Sequence, residues 1–244
     1  MVLAGRDSQL NLTEALLMYR SSDGTAVYAT THPIQTETNN PERKILGAGT
    51  PLTKDGLAAF AQAVGAATSF AGFVPDNLLY TSPNMIAWWV PESIRRCWFN
   101  STQNKFIGKQ VADVAHPAMV FIITPGDWFV FALKESARPG PDTKLQHSPH
   151  FNVWDGGRIC TGNVDLPETI DASAIRQYED AFFRSNFTHP NRAGAVNYKG
   201  GITMLWRSQI KTADMAKMRG ALRSSGKTLR QTIEKITNRT IEIN

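Results

Sequence analysis

The chain has 244 residues, a hydrophobic fraction of 42% and a formal net charge of +5. This composition provides a full hydrophobic core and excludes intrinsic disorder. No apolar run approaches the roughly 20 residues that span a bilayer. Residues 1–11 also lack the basic-then-apolar pattern of a signal peptide, so we expect a cytoplasmic protein.

The first half of the chain predicts a sheet with one helix before it. Strand-like runs at 11–20 and 25–31 flank a Ser-Ser-Asp-Gly turn and predict a hairpin, which we expect to extend the main sheet. Residues 35–51 are polar and predict a loop. Thr53 is a suitable cap for a helix over 54–67.

Short aromatic and branched runs between residues 78 and 99 predict consecutive antiparallel strands in a meander. The runs 116–123 and 128–133 flank Thr-Pro-Gly-Asp, which predicts a hairpin at the centre of the sheet. Four prolines and glycines between 136 and 149 exclude a central strand there, so an extended surface segment is expected to lead to His150.

The last third of the chain predicts mainly helices. Asp171 or Ser173 is expected to cap a helix that ends near Asn186. Residues 188–201 predict a loop, and 202–206 a short strand. A helix from Asp214 onward is expected, with an interruption around residues 224–226.

The two cysteines of the chain differ in their surroundings. Cys97 lies inside an aromatic strand-like run next to Trp98, which favours a buried structural thiol. Cys160 comes three residues after a Gly-Gly pair, on an irregular segment where a reactive thiol is accessible. A structural disulfide is not expected in a reducing compartment.

The segment that ends at Cys160 carries a resemblance to a known family. The residues His150-Phe151-Asn152-Val153, a turn and Gly157-Arg158-Ile159-Cys160 are similar to the active-site segment of ubiquitin-conjugating enzymes, His-Pro-Asn-Ile/Val followed by Gly-x-Ile-Cys-Leu. The proline-bearing approach and the helix near Asp171 fall where that family has them. Two positions depart from the pattern: Phe151 replaces the proline, and Thr161 replaces the leucine.

The opening hairpin, the segment Val90–Phe99 and the basic C-terminal end more closely resemble the protein B family of the PRTRC cassette, a bacterial relative of the conjugating enzymes. This resemblance covers most of the chain. It implies a ThiF-like activating enzyme, a small ubiquitin-like protein and a ParB-related protein as partners, often encoded on mobile elements. It implies neither a cofactor nor a metal.

The resemblance implies an α+β fold, with an antiparallel meander sheet flanked by helices, in one ubiquitin-conjugating-like domain over residues 1–244. Its core would be residues 53–187, with an added N-terminal hairpin (1–52) and a C-terminal strand and basic helices (188–244). Cys160 would carry the modifier as a thioester. Asn152 would assist aminolysis, His150 would shape the loop, and Asp165 would orient the acceptor amine.

Three other readings of the sequence remain open. A cysteine hydrolase would use Cys160 with His150 or His147 as its base. A zinc site at His147, His150 and Cys160 would lack the usual fourth ligand and paired cysteines. A DNA-binding or partition adaptor would use the basic end, where residues 207–239 contain nine Lys or Arg and two acidic residues. Charge reversal at Arg219, Arg223 and Arg230 would test that reading.

Overall fold

A computed structural model describes residues 12–23, 27–58, 73–101, 105–162 and 164–243. The chain divides into two compact units, residues 1–69 and residues 70–244.

The first unit contains a small antiparallel sheet of four strands: β1 (Glu14–Arg20), β2 (Val27–Glu37), β3 (Asn40–Leu46) and β4 (Thr50–Pro51). β2 pairs with each of the other three strands. The predicted opening hairpin is confirmed, because β1 and β2 pair in register from Arg20↔Val27 to Glu14↔Pro33. The expectation that this hairpin extends the main sheet is wrong, since β1–β4 form a sheet of their own.

The prediction of a loop over residues 35–51 is also wrong, because most of this segment forms β3 and β4. These strands are largely exposed and polar, so they lack the apolar alternation that identifies a strand with one buried face. After β4, Thr53 Oγ1 accepts the Gly56 N–H at 3.1 Å, as expected for a cap, and residues 54–58 are helical. The remainder of the predicted helix, 59–67, lies outside the described residues.

The second unit contains the remaining strands. They are β5 (Leu78–Ser82), β6 (Met85–Val90), β7 (Ser93–Ser101), β8 (Gly108–His116), β9 (Met119–Thr124), β10 (Asp127–Ala132), β11 (Lys144–His147), β12 (Asn186–Phe187) and β13 (Ser224–Thr228). Six of them form a sheet in the order β13-β11-β10-β9-β6-β5. The predicted β9–β10 hairpin is confirmed at its centre, and the fold is α+β.

The predicted meander over residues 78–99 is only half correct. β5 and β6 pair as expected, but β6 pairs onward with β9, and β7 pairs with β8 in a separate three-stranded sheet with β12. Pro91 and Glu92 break the strand between β6 and β7. Because β7 and β8 bury their own apolar faces against the helices, including Phe99 and Val114, they do not continue the central sheet.

Four helices of the second unit follow the Cys160 segment: α1 (Ile175–Phe183), α2 (Gly201–Lys211), α3 (Met215–Ala221) and α4 (Leu229–Ile243). Asp171 Oδ1 accepts the Ser173 N–H at 2.8 Å and so caps the short 3-10 turn before α1, as predicted. The interruption expected at 224–226 is β13. The strand predicted over 202–206 is wrong: these residues belong to α2, which buries Ile202, Leu205, Trp206 and Gln209 at helical spacing.

The two faces of the central sheet have separate cores. On one face, Trp88 stacks on Phe121 at 5.3 Å, and Phe121 meets Phe182 of α1 edge-on at 5.1 Å. On the other face, a second cluster includes Phe129, Phe131 and Leu145 of the sheet with Leu229 and Ile236 of α4. Burying an aromatic side chain of this size contributes about 1.5–3 kcal/mol. The sheet is therefore a rigid support, with β10 and β11 at the base of the Cys160 segment.

Candidate active site

Cys160 lies at the end of a short hairpin formed by residues 152–160, which we call the cysteine hairpin. The Cys160 N–H donates to the Asn152 carbonyl at 2.7 Å, and the Trp154 N–H donates to the Arg158 carbonyl at 2.7 Å. Val153 and Ile159 form the antiparallel bridge between them. These bonds fix the backbone of Cys160 relative to Asn152, eight positions earlier.

Glycines make the turn of the cysteine hairpin. Gly156 and Gly157 have φ angles of 80° and 87°, a region that L side chains rarely adopt. A Cβ on Gly157 would also lie 2.6 Å from the Phe131 ring. The tight turn inferred from the Gly-Gly pair is therefore present, and it packs directly against β10.

Strand β10 holds the second half of the cysteine hairpin. The Ile159 N–H donates to the Trp128 carbonyl at 2.7 Å, and Arg158 forms an isolated bridge with Phe129. Arg158 Nε also pairs with Asp127 Oδ1 at 2.9 Å, at the start of the same strand. Ile159, the residue just before Cys160, is thus hydrogen-bonded to a strand at the centre of the sheet.

The Cys160 side chain is free and exposed. Within the described chain, no side chain hydrogen-bonds to its Sγ. By contrast, Cys97 is 1% exposed, and burial raises the pKa of its thiol far above the ordinary value. Asp165 is exposed just beyond a turn in which the Val164 N–H donates to the Thr161 carbonyl at 2.9 Å.

Asn152 is held from two sides by residues 186–189, a segment that sequence reasoning did not connect with the site. Its Nδ2 donates to the Asn186 carbonyl at 2.8 Å, and its Oδ1 accepts the Thr188 hydroxyl at 2.7 Å and the Thr188 N–H at 3.1 Å. Its backbone N–H donates to the His189 carbonyl at 3.0 Å. Asn152 has a φ of 60°, so this network maintains a left-handed backbone.

His150 is a buried member of an aromatic cluster. It is 1% exposed, its Nδ1 lies 2.9 Å from Ser148 Oγ, and its Nε2 lies 2.9 Å from His116 Nδ1. Phe182, Phe187 and Trp206 surround the ring. Burial, and then the neighbouring His116, lower the pKa of His150 well below its ordinary value. Both ring nitrogens are therefore engaged in the interior of the protein.

His147 is linked to the cysteine hairpin through Arg192. Arg192 Nη2 donates to His147 Nε2 at 3.0 Å, and Arg192 Nε pairs with Asp155 Oδ1 at 3.2 Å. Burial lowers the pKa of His147 to about 4, assisted by the charges of Arg192 and Arg223 and opposed by that of Asp155. Asp155 thus has a contact that its turn sequence did not predict.

The two departures from the conjugating-enzyme pattern have different environments. Phe151 is fully buried and meets Phe99 edge-on at 6.3 Å, so it anchors the hairpin entrance in the core. Thr161 is partly exposed beside the cysteine. Trp206 Nε1 donates to the Pro149 carbonyl at 2.6 Å and fixes the backbone just before His150.

The basic residues of the C-terminal end are distributed over separate contacts. Arg219 pairs with Glu92 at 3.6 Å, Arg223 donates to the Gly194 carbonyl at 2.9 Å, and Arg230 pairs with Asp142 at 3.6 Å. Each of these three arginines therefore already has a carboxylate or carbonyl partner within the protein. In the described part of the chain, no helix is both long enough and apolar enough to cross a membrane.

The central sheet and the cysteine hairpin define an α+β protein that presents one exposed thiol on a fixed backbone. A family model described as prokaryotic E2 family D matches residues 56–218. The chain therefore belongs to prokaryotic E2 family D, and the resemblance to prokaryotic relatives of conjugating enzymes is confirmed at the level of the family. The match relates the protein to ubiquitin-like conjugation. Searches of curated proteins and of solved structures each gave no match.

Proposed function

We propose that the protein carries a ubiquitin-like modifier as a thioester on Cys160 and transfers it to an amine. The observation that carries this proposal is the exposed Cys160 thiol on a hairpin whose backbone is fixed by Asn152 and β10. Membership of an E2 family supplies the chemical context. An activating enzyme and a ubiquitin-like protein are the corresponding partners, and a ThiF-like enzyme and a ParB-related protein are the specific candidates.

The reaction has two acyl transfers. First, the Cys160 thiolate attacks the carbonyl carbon of the thioester on the activating enzyme, and the thiolate of that enzyme leaves. An amine then attacks the carbonyl carbon of the new thioester, the carbon–sulfur bond breaks, and Cys160 becomes a thiolate again. The amine loses a proton in forming the amide.

The residues around Cys160 have distinct roles in this proposal. Asn152 positions the cysteine backbone, and its amide is the candidate to assist aminolysis. Asp165, exposed beyond the following turn, is the candidate to orient the acceptor amine. His150 maintains the buried architecture beneath the hairpin. The conjugating core is proposed as residues 53–187, with residues 1–52 and 188–244 as additions.

A cysteine hydrolase receives less support from the same geometry. A hydrolase requires a histidine that takes the proton of the thiol. His150 uses both ring nitrogens in buried contacts, and Arg192 occupies Nε2 of His147. The low pKa of His147, about 4, makes it a poor proton acceptor at neutral pH.

The proposal is tested by incubating the protein with its activating enzyme, its modifier and ATP. We expect an adduct on a non-reducing gel that disappears on treatment with a thiol reductant. Cys160→Ala abolishes this adduct, whereas the matched variant Cys97→Ala retains it because Cys97 is buried in a strand. Absence of a reducible adduct with the wild-type protein contradicts the proposal.

A further inference from the structure

A chain of hydrogen bonds leads from the exposed ring of His189 to the side chain of Asn152. His189 Nδ1 lies 2.9 Å from Thr188 Oγ1, which lies 2.7 Å from Asn152 Oδ1. A hydroxyl has one proton, and an amide oxygen can only accept. The Thr188 hydroxyl therefore donates to Asn152, and its oxygen accepts the proton that His189 Nδ1 carries. The direction of the chain is thus determined, from His189 through Thr188 to Asn152.

The same contacts determine which way the Asn152 amide faces. Thr188 offers Oδ1 two donors, its hydroxyl at 2.7 Å and its backbone N–H at 3.1 Å. On the other side, Nδ2 donates to the Asn186 carbonyl at 2.8 Å. A flipped amide would bring Nδ2 against two donors and Oδ1 against a carbonyl oxygen. One Nδ2 proton is bound to Asn186, and the second has no acceptor among the described residues.

The segment that carries Thr188 is held in place on both sides. β12 ends at Phe187, which is buried, and pairs in parallel with β7. The His189 carbonyl accepts the backbone N–H of Asn152 at 3.0 Å, and the Asn152 carbonyl accepts that of Cys160 at 2.7 Å. Asn152 is therefore hydrogen-bonded between the segment of Thr188 and the cysteine.

This arrangement bears on the transfer of an acyl group from Cys160 to an amine. The amine nitrogen bonds to the carbonyl carbon of the thioester, and negative charge develops on the carbonyl oxygen. Cys160 then leaves as the thiolate, and the amine releases its proton to water. An oriented side-chain N–H stabilises the developing charge. Hydrogen bonds accepted by an amide oxygen polarise the amide and so strengthen its N–H as a donor.

We propose that Thr188, supported by His189, is a positioning residue for aminolysis. The two residues orient and polarise the Asn152 amide, so that its second Nδ2 proton stabilises the oxyanion. This inference rests on the proposed acyl transfer at Cys160 and concerns the second of its two steps. Both residues act through Asn152 and are assigned no contact with the reacting atoms.

The test measures discharge of a thioester that has already formed. The full-length protein is loaded by its activating enzyme and ATP, apyrase removes the ATP, and loss of the thioester is followed at increasing concentrations of free lysine. Thr188→Val has the same shape but no hydroxyl, and it should slow lysine-dependent discharge by about three- to tenfold. Thr188→Ser restores the hydroxyl and should recover most of the rate. A role in packing alone predicts the opposite order, because valine keeps both branches of the side chain and serine does not.

Substitutions of His189 test the first hydrogen bond of the chain. An asparagine side chain places an N–H close to the position of the histidine Nδ1, whereas leucine has no donor. His189→Asn should therefore discharge to lysine faster than His189→Leu. Thr237→Val is the matched control, since the partly buried Thr237 hydroxyl donates to the Ile233 carbonyl within α4 at 3.0 Å. Its discharge rate should equal that of the wild type.

The possible outcomes separate this inference from the proposed function. A wild-type protein that forms no thioester would overturn both. Normal thioester yields with equal discharge rates in the wild type and Thr188→Val, or slower discharge in Thr188→Ser than in Thr188→Val, would overturn this inference alone. Melting curves verify that each variant folds. If Thr188→Val does not fold, equal rates for His189→Asn and His189→Leu, at an exposed position, would overturn the inference instead.

Discussion

The backbone N–H of Cys160 donates to the carbonyl of Asn152 at 2.7 Å, so the position of the cysteine depends on the conformation of Asn152. Asn152 is in turn bound through its side chain to Asn186 and Thr188. The exposed thiol is therefore connected, in two steps, to the segment that follows α1. Through this connection, we expect the side-chain contacts of Asn152 to influence where the thiol lies.

Asn152→Ala should lower the free energy of unfolding by about 1–3 kcal/mol, because it removes three side-chain hydrogen bonds and leaves a left-handed backbone without glycine or asparagine. It should also slow formation of the Cys160 adduct. Guanidinium unfolding and the initial rate of adduct formation measure these two effects. Asn152→Gly adopts the same φ without strain but lacks the side-chain hydrogen bonds. It should therefore recover only part of the stability that Asn152→Ala loses. Equal stability of Asn152→Ala and the wild type would contradict the role of the network.

Gly157→Ala should destabilise the protein by about 2–4 kcal/mol, because its Cβ meets the Phe131 ring in addition to the positive φ. Gly156→Ala has open space around the new Cβ and should cost about 1 kcal/mol from its φ alone. Gly140→Ala, with an ordinary φ and open space, is the control and should be nearly neutral. Equilibrium unfolding of the three variants measures their free energies of unfolding and so tests this order of costs. Equal costs at Gly156 and Gly157 would show that the contact with Phe131 is unimportant.

Stability should fall as the pH decreases below about 6.5, the ordinary pKa of histidine in an unfolded chain. Burial, followed by the charge of Arg95, lowers the pKa of His116 to about 3, and the pKa values of His147 and His150 are lowered as well. Between these values and 6.5, the unfolded state binds more protons than the folded state. Each of the fully buried histidines, His116 and His150, therefore removes up to about 2 kcal/mol between pH 7 and pH 5. His147 removes less, because it is only partly buried and solvent screens its charge.

Guanidinium unfolding at pH 7 and pH 5 measures this effect. His147→Gln should reduce the difference in unfolding free energy between the two pH values, because it removes one of the histidines whose pKa is lowered. A protein that is equally stable at both pH values would contradict the buried neutral state of these histidines.

Alkylation of the native protein with a maleimide should modify Cys160 rapidly and Cys97 only after unfolding, because Cys160 is exposed and Cys97 is 1% exposed. Mass spectrometry of the intact protein should show one addition, and its peptides should place that addition on Cys160. Cys160→Ala should show none under the same conditions. Modification of both cysteines at similar rates in the folded protein would be inconsistent with this structure.

Local patterns predicted the parts of the fold that local chemistry determines. Turn residues and branched runs identified the β1–β2 and β9–β10 hairpins, and Asp171 identified the start of the segment that leads into α1. Residues 202–206 were too short and apolar to distinguish a strand from a helix, since both bury such a run. The pairing of β6 with β9 depends on contacts between distant segments, which sequence spacing does not encode.

The features of the candidate site also separate into those that the local sequence predicted and those that it did not. The Gly-Gly turn was visible in the sequence because its φ requirement selects glycine. The exposed position of Cys160 and the buried position of Cys97 also followed from their neighbours. The contacts of Asn152 with Asn186 and Thr188, and of Arg192 with Asp155 and His147, join segments more than 30 residues apart and carry no local signature.

Trapping of the modifier on residue 160 tests the thioester proposal most directly. In Cys160→Ser, the serine oxygen should accept the acyl group from the activating enzyme and form an ester that resists thiol reductants but is cleaved by hydroxylamine. Mass spectrometry should locate that ester at residue 160, and the wild-type adduct should be lost on reduction. An adduct of equal yield in Cys160→Ala, or a modifier found only on lysine side chains of Cys160→Ser, would contradict the proposal.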